Sequence, residues 1–184
     1  MGISISESAA VFHVPYGPLN SEGTPGAGFV DVKSKPDLVP MVASCLGWPE
    51  TQNLLRAVNA PGSPLMTLAA DQAFTAADHR ELKSVLTSFV TLCYADVARN
   101  GKQTLADLAG SLGKRITELL QTASNELQRT LHLNVTLKLQ PTIFHQNNVE
   151  GWSLTVLMAA YGKNEIDARI TWGVGVKVLQ EALS

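Results

Sequence analysis

Residues 133–140 read LNVTLKLQ, with leucine or valine at every second position. This alternation is typical of a β-strand with one buried face, because successive side chains of a strand point to opposite sides of the sheet. The same alternation recurs over 152–161 and over 166–178. Three such segments in succession predict an antiparallel β-meander over 133–178.

The register of this meander follows from its buried face. Paired residues must share that face, since a slip by one residue exposes every core side chain. A two-residue turn at 147–148 would place Leu139 opposite Val156, and asparagine tolerates the positive φ of such a turn. A three-residue turn after the second strand would place Leu154 opposite Trp172.

The middle of the chain predicts two long amphipathic helices. Apolar residues recur at intervals of three and four over 82–97 and again over 105–131. A Thr-x-x-Asp sequence resembling a capping box precedes each run, and Gly101 suits the end of the first helix. We therefore expect a hairpin of two antiparallel helices over 75–131.

The first 74 residues look irregular. We predict a short strand at Ala9–Val14, a helix at Pro49–Val58 that begins with its proline, and a strand at Leu65–Phe74. Residues 16–28 contain four glycines and two prolines, which predicts a long loop. The whole chain, 1–184, then forms a single α+β domain: a two-layer sandwich of the meander on the helical hairpin, with an irregular N-terminal third.

One glycine-rich segment invites comparison with a phosphate-binding loop. Residues 110–115 read GSLGKR, but arginine follows the lysine where a P-loop needs serine or threonine. The segment also lies within the second predicted helix. We interpret its small residues as allowing close packing of that helix.

The charge of the chain argues against nucleic-acid binding. The chain contains fourteen Lys and Arg and sixteen Asp and Glu, and no basic cluster is longer than the pair Lys114-Arg115. Charged residues make up only 16 % of the chain, below the usual ~25 %. The deficit is concentrated in four segments where we expect a covered surface, by this chain or by a partner: Ala9–Val14, Val39–Trp48, Ala57–Phe74 and Gly151–Gly162.

The cysteines and the N-terminal residues indicate the cellular compartment. Cys45 and Cys93 each lie in an apolar stretch, which predicts buried free thiols in a reducing compartment. No Cys or His lies three or four residues from another, so we expect no metal site and no cofactor. Residues 1–14 lack the pattern of a secretory signal, and no apolar run approaches the ~20 residues of a membrane span. We expect a soluble cytoplasmic protein.

A few side chains stand out chemically. Asp71 is the one charge in the apolar segment 68–74, where a half-buried carboxylate could have a function. His145 closes the first strand of the meander and would face Glu150 across the turn as an acid–base couple. The candidate binding residues are His13, Tyr16, Asp71, His145 and Tyr161.

No catalytic motif identifies a reaction. We expect a binding or assembly domain that acts by self-association, as a homodimer, or through a protein or small-ligand partner. The alternative is a small metal-free enzyme with His145 or His13 as general base and Asp71 or Glu150 as its partner. An enzyme should bring a histidine and a carboxylate together in one pocket, whereas a binding or assembly domain should show a broad apolar patch.

Overall fold

The computed structural model describes residues 2–15, 29–77, 81–122 and 131–184. Its mixed helices and strands agree with the expected α+β class. The strands are β1 (Gly2–Glu7), β2 (Phe12–Val14), β3 (Leu65–Ala76), β4 (Ser84–Tyr94), β5 (Leu133–Phe144) and β6 (Val149–Gly162). The helices are α1 (Pro49–Val58), α2 (Lys102–Thr122) and α3 (Glu165–Leu183), and short 3-10 segments span Pro36–Met41, Ala43–Cys45 and Val97–Arg99.

The described strands form one mixed sheet in the order β1-β5-β6-β4-β3. The pairs β5–β6, β6–β4 and β4–β3 are antiparallel. Strands β1 and β2 both pair in parallel with β5, one after the other along the same edge. Residues near the start of the chain therefore form one edge of the described sheet.

The main core lies between the sheet and the helices. Leucines and valines of β5 and β6 point to one face, where α2 and α3 cover them. A Cβ added to Gly113 of α2 would meet Leu137 at 3.2 Å, and one added to Gly175 of α3 would meet Leu133 at 3.0 Å. Gly113 thus packs closely, as interpreted for segment 110–115, whereas a Cβ added to Gly110 would meet nothing within 4 Å.

A second, smaller core occupies part of the opposite face. Val14 and Phe29, from the N-terminal part of the chain, are buried there against Cys93 and Phe144. The two faces of the sheet are therefore covered by different parts of the chain: helices on one side and N-terminal residues on the other.

The prediction of a helix over 82–97 is wrong, because residues 84–94 form strand β4. This strand lies between β3 and β6, and most of its side chains on both faces are buried. A strand buried on both faces has apolar residues at consecutive positions, and such a run also satisfies helical spacing. The expected antiparallel helix pair therefore does not form, and α2 stands without its predicted partner.

The third predicted strand, 166–178, is also wrong: it lies within helix α3. Asn164 caps the helix by accepting a hydrogen bond from the backbone N–H of Asp167 at 2.9 Å. The polypeptide turns into the helix directly after β6, where a Cβ on Gly162 would collide with the backbone nitrogen of Ala168. The helix carries apolar residues at every second position over 166–178, and this alternation is what predicted a strand.

The first hairpin forms, but its register differs by two residues from the prediction. Leu139 pairs with Leu154 rather than Val156, because four residues, 145–148, connect the strands instead of two. The shift is even, so the predicted core face is retained. Asn148 has a φ of 50°, consistent with the expected tolerance of asparagine. With 166–178 helical, the predicted pairing of Leu154 with Trp172 does not exist.

Other predicted elements agree more closely. Helix α1 spans Pro49–Val58 with its proline at the start, and β3 extends the strand predicted from Leu65 by two residues. Strand β2 lies inside the predicted Ala9–Val14. Strand β1 was not predicted, although isoleucine and serine alternate within it.

A buried hydrogen bond joins α3 to β4 and makes a prediction about stability. Trp172 is 1 % exposed, and its Nε1–H donates to the Ser88 hydroxyl at 2.7 Å. We expect Ser88→Ala to lower the free energy of unfolding by about 1–3 kcal/mol, because the indole N–H is left buried without an acceptor.

Urea denaturation followed by circular dichroism measures this loss. Thr87→Ser, at the neighbouring exposed position of the same strand, keeps the hydroxyl that donates to the Ala73 carbonyl; it is the control and should change stability by less than ~0.5 kcal/mol. Equal effects of the two substitutions would contradict the assigned role of Ser88.

Candidate functional site

A cleft of about 540 Å³ lies along the outer edge of β3, and we call it the edge cleft. Residues 67–71 of β3 form one wall, and Val30, Val32 and residues 42–44 form the other. Phe12, Leu55 and Phe89 complete the described lining. This volume falls within the ~300–1,000 Å³ of small-molecule sites, which are likewise mostly apolar.

Two polar side chains hold the second wall in place. The Lys33 ammonium donates to the backbone carbonyls of Ala60 at 3.0 Å and Ser63 at 2.7 Å, which fixes the segment that carries Val30 and Val32. The Gln72 amide donates to the Ser44 carbonyl and accepts from the Thr51 hydroxyl. Lys33 thus holds the part of the wall with Val30 and Val32, and Gln72 holds the part with Ser44.

An irregularity in β3 shapes the opposite wall. The pairing of β3 with β4 shifts register between Thr67 and Ala69, so Leu68 is an extra residue. Such a bulge re-aims side chains next to it. Leu68 is buried in the smaller core while also lining the edge cleft, so the cleft and that core share a boundary.

Few polar groups reach the edge cleft. Asp71 is exposed, and its Oδ1 accepts a hydrogen bond from the backbone N–H of Gln72 at 2.9 Å. Within the residues that the structure describes, no ion pair involves Asp71. The Ser44 hydroxyl is buried without a hydrogen-bond partner. Thr67 is already engaged by the Asn59 amide at 2.8 Å.

The position of the edge cleft agrees with the uneven charge of the sequence. Phe12, residues 42–44 and residues 67–71 come from three of the four charge-poor segments. These segments are far apart in the chain, and the fold brings them together. The charge deficit therefore marks a concave apolar surface.

The two candidate histidines lie together at a different place. His13 is in β2 and His145 follows β5, and Nδ1 of His13 lies 2.9 Å from Nε2 of His145. The ring planes are 15° apart, and both side chains are exposed. One ring nitrogen of each histidine is therefore engaged in the hydrogen bond between them. No described ion pair joins either histidine to Asp71 or Glu150.

The remaining candidates do not join this group. Tyr161 is half-buried near the end of β6, where its backbone N–H donates to the His132 carbonyl at 2.9 Å. Tyr16 lies outside the described residues. Of the five candidates, Asp71 alone is placed in the edge cleft by the described lining. Ser44 and its buried hydroxyl were missed, because nothing in the local sequence signals a contact made by tertiary packing.

The two cysteines are free and buried, as predicted from the sequence. Burial raises the pKa of Cys45 to about 11, although the charge of Arg56 opposes the rise. Burial raises the pKa of Cys93 to about 12, against a smaller opposite effect of its hydrogen bond to Asn100. Neither thiol is a nucleophile at neutral pH, although Cys45 adjoins the edge cleft.

Neither metal ligands, nor membrane-spanning helices, nor relatives point to a function. Over the described ranges, no group of three or more His, Cys, Asp or Glu side chains is placed to hold a metal ion. No helix in the same ranges has the length and apolar character to cross a membrane. No known family's sequence profile matches the chain, and neither a curated protein nor a solved structure is significantly similar to it.

The buried thiols predict slow labelling of the folded protein. A rise of the Cys45 pKa from 9.0 to about 11 lowers its thiolate fraction about a hundredfold at pH 8. We expect a thiol reagent to label both cysteines within minutes in denaturant but only slowly in native buffer at pH 8.

Above pH 9 the labelling rate should rise together with unfolding. Unfolded thiols ionise near 9.0 and folded ones near 11 and 12, so ionisation favours the unfolded state between these values. Rapid labelling of either cysteine in the native protein at pH 8 would contradict the assigned burial.

Proposed function

We propose that this domain binds a small, largely apolar molecule in the edge cleft, with a positively charged group of the ligand at Asp71. The observation that carries the proposal is a cleft of about 540 Å³ with apolar walls and a carboxylate for which no cation is described. An apolar cleft left open to water is unfavourable in free energy, and a bound ligand would cover it.

Apolar contacts would supply most of the affinity. Val30, Val32 and Val42 face Ala69 and Ala70 across the cleft. Transfer of apolar ligand surface from water to such walls is favourable, in proportion to the area removed from water. These small side chains leave the space between the walls open, and the two attachments through Lys33 and Gln72 keep it preformed.

Asp71 would select the charge of the ligand. Its exposed carboxylate accepts one hydrogen bond, from Gln72, and a ligand seated on the neighbouring apolar side chains would shield its attraction for a cation from water. Phe89 lies opposite Asp71 in the β3–β4 register and also lines the cleft. An aromatic ring face attracts cations as well, so an amine is the group that suits both side chains.

Ser44 would contribute a hydrogen bond. Its buried hydroxyl has no partner, and a buried polar group without a partner is costly. The Ser44 side chain would have to rotate toward the cleft to bond a ligand atom, and that hydrogen bond would remove the cost. The expected ligand therefore has an apolar body, a cationic amine and one neutral polar group.

The geometry favours binding over the alternative of an acid–base enzyme. General acid–base catalysis needs a proton-transfer group within hydrogen-bond reach of the reacting atom. His13 and His145 are absent from the described lining of the edge cleft and contact each other instead. The proposal therefore assigns no reaction to the cleft.

Three naphthyl probes of equal chain length test the proposal: an ethylamine, the corresponding alcohol and the corresponding carboxylate. Fluorescence anisotropy should give the affinity order amine, alcohol, carboxylate. Asp71→Asn should weaken the amine about three- to fivefold and leave the alcohol unchanged, since a partly exposed ion pair contributes up to ~1 kcal/mol.

Two further variants make the test specific. Ala43→Phe, which fills the edge cleft from an exposed wall position, should abolish binding of all three probes. Glu150→Gln removes an exposed strand carboxylate elsewhere and should change nothing. If no probe binds, or if Ala43→Phe binds them as well as the original chain does, the cleft is not the site.

A further inference from the structure

The outer face of α3 exposes two large apolar side chains among charged ones. Ile166 is 72 % exposed and Ile170 is 63 % exposed, and they lie one turn apart on the same side of the helix. Gly173 continues this side, and a Cβ added there would meet nothing within 4 Å. Two large isoleucines exposed one turn apart on a helix are a surface that a partner could cover.

A single row of residues runs along this face, and we call it the outer seam. Its spacing alternates between three and four residues, which is the spacing of helices that pair side by side. Its members are exposed or half-buried: Asp167, Ile170, Val174, Lys177 and Glu181. No described ion pair involves Asp167, Lys177 or Glu181.

We propose that the outer seam pairs antiparallel with the same seam of a second copy of this chain, forming a two-fold dimer. A two-fold axis level with Trp172 places Asp167 of each copy beside Lys177 of the other. The same axis places Ile170 beside Val174 and Lys163, just before the helix, beside Glu181. Every contact along the seam then joins apolar to apolar or acid to base.

Charge decides between this arrangement and its alternatives. Parallel pairing would set Asp167 against Asp167 and Lys177 against Lys177, which repel each other. The antiparallel pairing gives attraction at both ends, with the isoleucines and valines in the centre. The open space over Gly173 lets the two helices approach closely, and Arg169 stays engaged within its own copy with Glu50 and Trp48.

Analytical ultracentrifugation over a dilution series tests the dimer. We expect a reversible monomer–dimer equilibrium, with a dimer Kd raised about tenfold or more by Ile170→Glu, which buries two charges at the centre. The matched control is Ile5→Glu, at an isoleucine that is 55 % exposed in β1, and it should leave the Kd unchanged.

A charge exchange tests the antiparallel register. Lys177→Glu sets like charges together twice in each dimer and should raise the Kd about tenfold, and adding Asp167→Lys should restore it. Lys114→Glu on α2 changes the net charge equally and should have no effect. Circular dichroism checks that each variant folds. A monomer at every concentration, a dimer indifferent to Ile170→Glu, or a failed restoration would overturn the proposal.

Discussion

Burial of Trp172 is the contact on which the arrangement of helices depends. Its indole N–H is satisfied by Ser88 of β4, and its ring meets the edge of the Trp48 ring with centroids 5.2 Å apart. Trp48 in turn packs against Phe74 of β3. One side chain of α3 therefore fixes the helix on the sheet and also the segment that leads into α1.

The edge cleft inherits its shape from this cluster. Arg169 of α3 lies over the Trp48 ring and donates to the Gly47 carbonyl at 3.3 Å, so the segment after residue 44 is anchored to the helix. Gln72 anchors the same wall to β3, and Lys33 anchors the wall that carries Val30 and Val32. The cleft is thus a gap between a rigid strand and a chain segment held at several points, and it does not need a ligand to stay open.

Local sequence predicted the elements whose periodicity is unambiguous. In β5 and β6, alternation with polar residues marks one buried face, and in α1 the leading proline marks the start. Strand β4 was predicted as a helix and helix α3 as a strand. In both, apolar residues occur on more than one side, so the sequence fits the helical period of 3.6 as well as the strand period of two. The informative signal at α3 was Asn164 followed by Glu165 and Asp167, a helix start that the alternation obscured.

The site was predicted less completely than the fold. Asp71 was identified because a single carboxylate in an apolar strand is conspicuous. The other wall of the edge cleft depends on Lys33 and Gln72, whose bonds join residues 21 to 30 positions apart. The pairing of His13 with His145, 132 positions apart, is equally invisible to local reasoning. The same separation has a consequence during synthesis. Strands β1 and β2 can pair only after β5 has left the ribosome, so they stay unpaired while the intervening chain is made.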